Sequence, residues 1–226
     1  MEAKTLVKYL DLANHHPDAT PEDIKKLCQR VKKHGFHSAF LNPCYVSLAR
    51  ELLGEKRLVG TVISFPLGQD TQNIKILSAV DAIKKGADEL DVAMNVGLFK
   101  AGEEDRVLAE MREVVEASKS ARKAVLVKFI IETGLLTDEE IKKASRLVLE
   151  SGADFVKTNS GWGPRGASLK DVELIRKAVG DKIKIKVAGG IHTFKKAVEF
   201  VEKGADRIGT SKAVEIIKGA ENDKNQ

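Results

Sequence analysis

Short apolar runs rich in β-branched residues recur along this chain, and a helix-patterned segment follows each one. The runs cover residues 9–13, 38–41, 58–63, 89–94, 125–131, 154–158, 183–188 and 206–210. The helical segments span 21–34, 43–53, 70–86, 102–121, 137–151, 168–179, 193–203 and 211–219. A strand that is followed each time by a helix returns to its sheet by a crossover, so neighbouring strands run parallel. Eight such units in 226 residues predict an α/β fold, a single (β/α)8 TIM barrel. An open doubly wound sheet is the alternative, but no Gly-x-Gly-x-x-Gly turn follows the first run.

Local signals agree with this periodicity. Thr20-Pro21-Glu22-Asp23 joins an N-cap to a first-turn proline, and Thr137-Asp138-Glu139-Glu140 has the form of a capping box. Lys85-Gly86-Ala87-Asp88, Ser151-Gly152-Ala153-Asp154 and Lys203-Gly204-Ala205-Asp206 repeat one junction: a helix end, a glycine suited to a left-handed turn, then a strand start. One domain is expected over residues 1–218, followed by a fraying polar tail at 219–226.

Composition excludes several roles. No stretch approaches the roughly 18 apolar residues of a membrane span, and Met1-Glu2-Ala3-Lys4-Thr5-Leu6 has no apolar core of a secretory signal. The net charge is +5, but lysines and glutamates interleave on helix faces rather than forming a basic stripe. We therefore expect no nucleic-acid partner and no membrane partner. Cys28 and Cys44 form neither a disulfide framework nor a zinc pattern. A reducing cytoplasm is the expected location.

Strands of a parallel barrel are covered on both faces and should be almost wholly apolar. Four runs break this rule, with Asp91, Lys128, Lys157 and Lys186 inside or at the end of their strands. Each buried charge needs a partner or a purpose. One reading is an ion cluster that only fixes the barrel interior. The other is amine chemistry: burial and a second cation lower a lysine's pKa and free its lone pair for attack on a carbonyl. Lysines on strands 6 and 7 supply the two cations, and Asp91 on strand 4 supplies a carboxylate for proton transfer. These residue types alone leave open which lysine is the nucleophile. Lys184 shares strand parity with Lys186 and is expected near the barrel bottom or in solvent.

Ala188-Gly189-Gly190-Ile191-His192 follows the seventh run, and Gly209-Thr210-Ser211 follows the eighth. In barrels these two loops and a helix N-terminus often hold a phosphate, because backbone N–H groups and the helix dipole favour an anion. His15 and His16 are adjacent and read as a surface loop rather than a metal site. His192 faces either a phosphate or solvent. Trp162 is a candidate to line a pocket or cap the barrel, and Cys44 is expected to be a buried, inert thiol.

Together these residues resemble the deoxyribose-phosphate aldolase family of class I aldolases over nearly the whole chain. The most specific matches are Phe155-Val156-Lys157-Thr158-Asn159-Ser160-Gly161, Lys184-Ile185-Lys186-Val187-Ala188-Gly189-Gly190-Ile191 and Glu89-Leu90-Asp91-Val92-Ala93-Met94-Asn95-Val96-Gly97. Leu10-Asp11, Asn42-Pro43, Phe65-Pro66-Leu67-Gly68 and Lys128 with Glu132-Thr133 add support. The resemblance implies a Schiff base on Lys157 and a proton relay of Asp91 and Lys186. It implies a phosphate near Gly161, Gly189, Gly190, Gly209 and Ser211, with Asp11, Lys128, Thr158 and Ser160 as supporting positions. The implied reaction is reversible cleavage of 2-deoxy-D-ribose 5-phosphate to D-glyceraldehyde 3-phosphate and acetaldehyde, without metal or organic cofactor. A class I aldolase acting on a different sugar phosphate or aldehyde pair is the alternative. The expected assembly is a homo-oligomer, a dimer or tetramer. The chain departs from the family pattern at Leu12-Ala13, Phe40, Asn159 and His192.

Overall fold

The computed structural model describes residues 1–222. Eight strands close into one parallel barrel in the order β1 to β8. They are β1 (Leu10–Asn14), β2 (Ser38–Leu41), β3 (Leu58–Ile63), β4 (Glu89–Ala93), β5 (Leu126–Ile130), β6 (Phe155–Lys157), β7 (Lys184–Ala188) and β8 (Arg207–Thr210). A short α1 (Ala3–Leu6) precedes them. The outer ring contains α2 (Pro21–His34), α3 (Val46–Leu53), α4 (Gln72–Lys84), α6 (Glu104–Ala121), α7 (Asp138–Glu150), α8 (Leu169–Val179), α9 (Phe194–Glu202) and α10 (Ala213–Asn222), with the one-turn α5 (Val96–Lys100) before α6.

Strand parity divides the molecule into two layers. Outward residues such as Leu12, Leu41, Val92, Phe129, Val156, Val187 and Ile208 pack with the helices into the main hydrophobic core. Inward residues occupy the alternate positions and include every charge singled out above. Thr20 and Thr137 form capping boxes with Asp23 and Glu140. The repeated Gly-Ala-Asp junction has a structural use at the barrel bottom. Asp88, Asp154 and Asp206 each accept the backbone N–H of a residue on the preceding strand, Val59, Val127 and Ile185, at 2.8 Å.

The final helix crosses the expected end of the domain. It runs to Asn222 rather than stopping near 218, and Ala220 is buried against the body. The expected tail at 219–226 is thus helical over its first four residues, and 223–226 lie outside the described residues. No described helix is long and apolar enough to cross a membrane.

Candidate active site

Lys157 on β6 pairs in register with Lys186 on β7, and Asp91 on β4 pairs with Lys128 on β5. These inward side chains converge on the barrel axis. Lys157 Nζ donates to Asp91 Oδ2 at 2.7 Å, and Lys186 Nζ lies 2.9 Å from the same oxygen. Lys186 Nζ also lies 2.7 Å from Asp11 Oδ2, while Ser38 Oγ donates to Asp11 Oδ1 at 2.7 Å. Deeper in the barrel, Lys128 Nζ donates to Glu89 Oε2 at 2.6 Å and lies 3.2 Å from Asp91 Oδ1. Arg207 Nη1 stands 3.8 Å from Asp11 Oδ1. All these side chains are buried. Four cations thus face three carboxylates, and loss of one proton would balance the cluster.

Burial penalises each of these cations, so the carboxylates around each one decide which releases it. Lys157 is pushed down to about 8, first by desolvation and then by Lys186, although Asp91 pulls the other way. Both expected causes act, and loss of water contributes more than the second cation. Burial would raise the Asp91 carboxyl, but Lys157, Lys186 and Lys128 outweigh it and hold it well below the usual range. Burial likewise opposes the Lys128 ammonium, and Glu89, Asp91 and Asp11 outweigh it and raise its pKa. Lys157 can thus be neutral near physiological pH while it faces open space.

That space is a cavity of about 360 Å³ at the C-terminal mouth of the barrel. Lys157 and Lys186 line it together with Ser160, Gly161, Gly189, Gly190, Gly209 and Ser211. Gly161, Gly189 and Gly190 have φ of +93°, +93° and +73°, a region costly for other residues. Close packing holds the loops in register. A β-carbon on Gly166 would lie 2.5 Å from Gly189 O, and Ala167 N donates to that oxygen at 3.1 Å. Thr210 Oγ1 donates to Ile191 O at 2.9 Å and ties the loop after β7 to the end of β8.

The supporting residues act on the backbone. Thr158 is buried, donates through Oγ1 to Ala188 O at 3.3 Å and accepts from Ala188 N at 3.1 Å, which fastens β6 to β7. Glu132, at φ +55°, accepts from Ser160 N at 3.0 Å and fixes the loop after Lys157. Asn159 accepts through Oδ1 from Thr133 Oγ1 and Gly134 N at 3.0 and 3.1 Å.

Several expectations need correction. His15 is not on a free surface loop: it lines the cavity and packs on the Phe65 ring with centroids 5.2 Å apart. Burial and the Lys157 charge push it down to about 3, so its imidazole is neutral at working pH. His16 and His192 line the same cavity while remaining exposed, and Trp162 sits at its rim, 53% exposed. Cys44 is exposed, and the buried thiol is Cys28, pushed up to about 11 by burial. Lys184 is exposed at the start of β7, as expected. Sequence reading missed Glu89 and Arg207 as members of the buried cluster. Glu89 was recoverable, because it precedes Asp91 by two residues and shares its face.

A family model for DeoC/LacD family aldolases matches residues 5–216. A deoxyribose-phosphate aldolase of Thermococcus gammatolerans is 46% identical over 225 residues, which covers 98% of this chain and 99% of that protein. Another, from Caldanaerobacter subterraneus, is 46% identical over 94% of this chain and 92% of its own length. Among solved structures, a deoxyribose phosphate aldolase from Aeropyrum pernix, described as tetrameric, superposes with a TM-score of 0.89 at 32% identity. That match covers 97% of this chain and 92% of the other. Fold, buried lysine cluster and relatives together define a barrel aldolase, an enzyme of the lyase class. The chain belongs to the DeoC/LacD aldolase family.

Proposed function

We propose that this enzyme is a class I aldolase that reversibly cleaves 2-deoxy-D-ribose 5-phosphate to D-glyceraldehyde 3-phosphate and acetaldehyde. The observation behind this reading is a buried lysine, lowered to about 8, in contact with a carboxylate it shares with a second lysine. Neutral Lys157 Nζ adds to the C1 aldehyde of the open-chain sugar, and loss of water gives an iminium. The C3 hydroxyl then gives up its proton, the C2–C3 bond breaks and its electrons flow into the iminium. This releases D-glyceraldehyde 3-phosphate and leaves an enamine. Protonation at C2 and hydrolysis return acetaldehyde and free Lys157. Asp91 and Lys186 relay these protons, a role worth about 10²–10⁴ in rate.

The phosphate is assigned to the backbone around Gly161, Gly189, Gly190, Gly209 and Ser211, beside the start of α10, where the helix dipole adds positive potential. Gly189→Ala strains a backbone at φ +93° within this cradle. We expect KM for the phosphorylated sugar to rise about tenfold while turnover of unphosphorylated 2-deoxyribose changes little, in line with the affinity scale for a lost anion contact. Equal losses on both substrates would place the phosphate elsewhere.

Attack needs the free amine, and the neutral fraction of Lys157 grows as pH rises. The kcat/KM profile should therefore climb through about pH 8. Borohydride trapping of acetaldehyde should follow the same limb. A profile that is flat from pH 6 to 9 would remove Lys157 as the titrating nucleophile. The direct test is mass spectrometry of enzyme reduced with borohydride in the presence of 2-deoxyribose 5-phosphate, with the adduct mapped to the peptide containing Lys157.

A further inference from the structure

Phe40 has no part in the chemistry described so far, yet it touches the relay. It lies on β2 opposite Gly60 of β3, points inward and is wholly buried. A β-carbon at Gly60 would lie 2.3 Å from Phe40 Cζ, so the missing side chain is what lets the ring lie across β3. The ring face meets the ion cluster. Lys186 Nζ is 3.3 Å from the ring centroid, and Lys128 Nζ is 4.8 Å from it. The Lys186 ammonium has three N–H groups. Asp11 and Asp91 occupy two directions at 2.7 and 2.9 Å, and the ring covers a further side. Lys186 is almost wholly buried, and an uncovered side of a buried ammonium is costly; the electron-rich face of an aromatic ring offsets that cost.

We propose that Phe40 is a positioning residue for the aldol reaction: its ring face seats the Lys186 ammonium against Asp91 and Asp11 and so keeps the proton relay in register. An aliphatic side chain of similar bulk would fill the space but present no negative face. Lys186 would then drift toward other partners, and the oxygen it shares with Lys157 would be held by Lys157 alone. The ring acts through charge distribution as well as shape, and this separates it from ordinary core packing. The inference rests on the assignment of Lys186 to the relay.

Mono-, di- and trifluorinated phenylalanine placed at position 40 of the full chain test it, because fluorine drains the ring face with little change in volume. Turnover of 2-deoxyribose 5-phosphate should fall stepwise with each fluorine, to about tenfold in kcat for the trifluorinated ring, at unchanged KM and melting temperature. Lys186→Met, measured alongside, should be inactive. A flat kcat across the fluorine series with an inactive Lys186→Met would reduce Phe40 to packing and leave the relay intact. A fall in kcat that only tracks a falling melting temperature would also overturn the role of Phe40. An active Lys186→Met would remove the relay and this inference with it.

Discussion

Replacing Lys157 by Met is expected to abolish borohydride trapping and lower turnover by more than about 10³-fold, while the protein melts at a higher temperature than the parent. The gain follows from the proton equilibrium. Lys157 sits at about 8 in the fold against an ordinary value of 10.5. The unfolded chain therefore binds this proton more tightly, and the penalty on the fold is fully present below pH 8. It is relieved as pH rises toward 10.5. The penalty is about 3 kcal/mol at pH 7, by the conversion of one pKa unit to 1.36 kcal/mol. Methionine removes the buried cation and leaves three cations facing three carboxylates, with Asp91 still held by Lys186 and Lys128. The melting temperature should rise on the order of 10 °C for a chain of this size. Differential scanning calorimetry together with intact-mass trapping checks both halves. A variant that melts lower than the parent, or that still forms the adduct at the same peptide, would contradict the charge balance or the nucleophile.

Asp91→Asn should separate the two stages of catalysis. The carboxylate is the common partner of Lys157, Lys186 and Lys128, so its loss leaves buried ammonium groups undercompensated. Breaking a buried pair in this way typically costs about 3–5 kcal/mol, and the variant should melt well below the parent. Its lysine should nonetheless stay reactive. Asp91 is the group that pulls Lys157 upward, so without it the amine titrates below its present value of about 8. Trapping of acetaldehyde should persist and extend to lower pH, while turnover falls by about 10²–10⁴ because the enamine and the C3 hydroxyl lose their proton relay. Turnover near the parental rate would eliminate Asp91 from the relay. Loss of trapping in a variant that remains folded would mean that the carboxylate assists imine formation itself.

Much of the architecture is legible in the sequence. The runs at 38–41 and 58–63 coincide with β2 and β3, and the Thr20 and Thr137 caps open the helices they announced. These signals are local: alternation, β-branching and capping act within a few residues of the chain. The inward charges were legible because a parallel barrel makes any charged strand residue an exception. His15 was not. It lies one residue past β1, and its direction is set by the rings of Phe40 and Phe65, which arrive from β2 and the loop after β3. Cys44 was misread for a related reason, since exposure in the short turn before α3 depends on what packs over it.

By itself, the order of residues determined the barrel, the strands that point charges inward, and the glycine loops beside them, because each follows from periodicity and backbone freedom along the chain. Only the closed barrel decided which charges meet, at what distance and in how dry an environment. Lys157 lies 66 residues from Asp91 and 29 from Lys186, and none of the three specifies its own surroundings. The lowered pKa of Lys157 arises from exclusion of water by eight strands and from the Lys186 charge, against the pull of Asp91, a property of the assembled interior rather than of any segment within it.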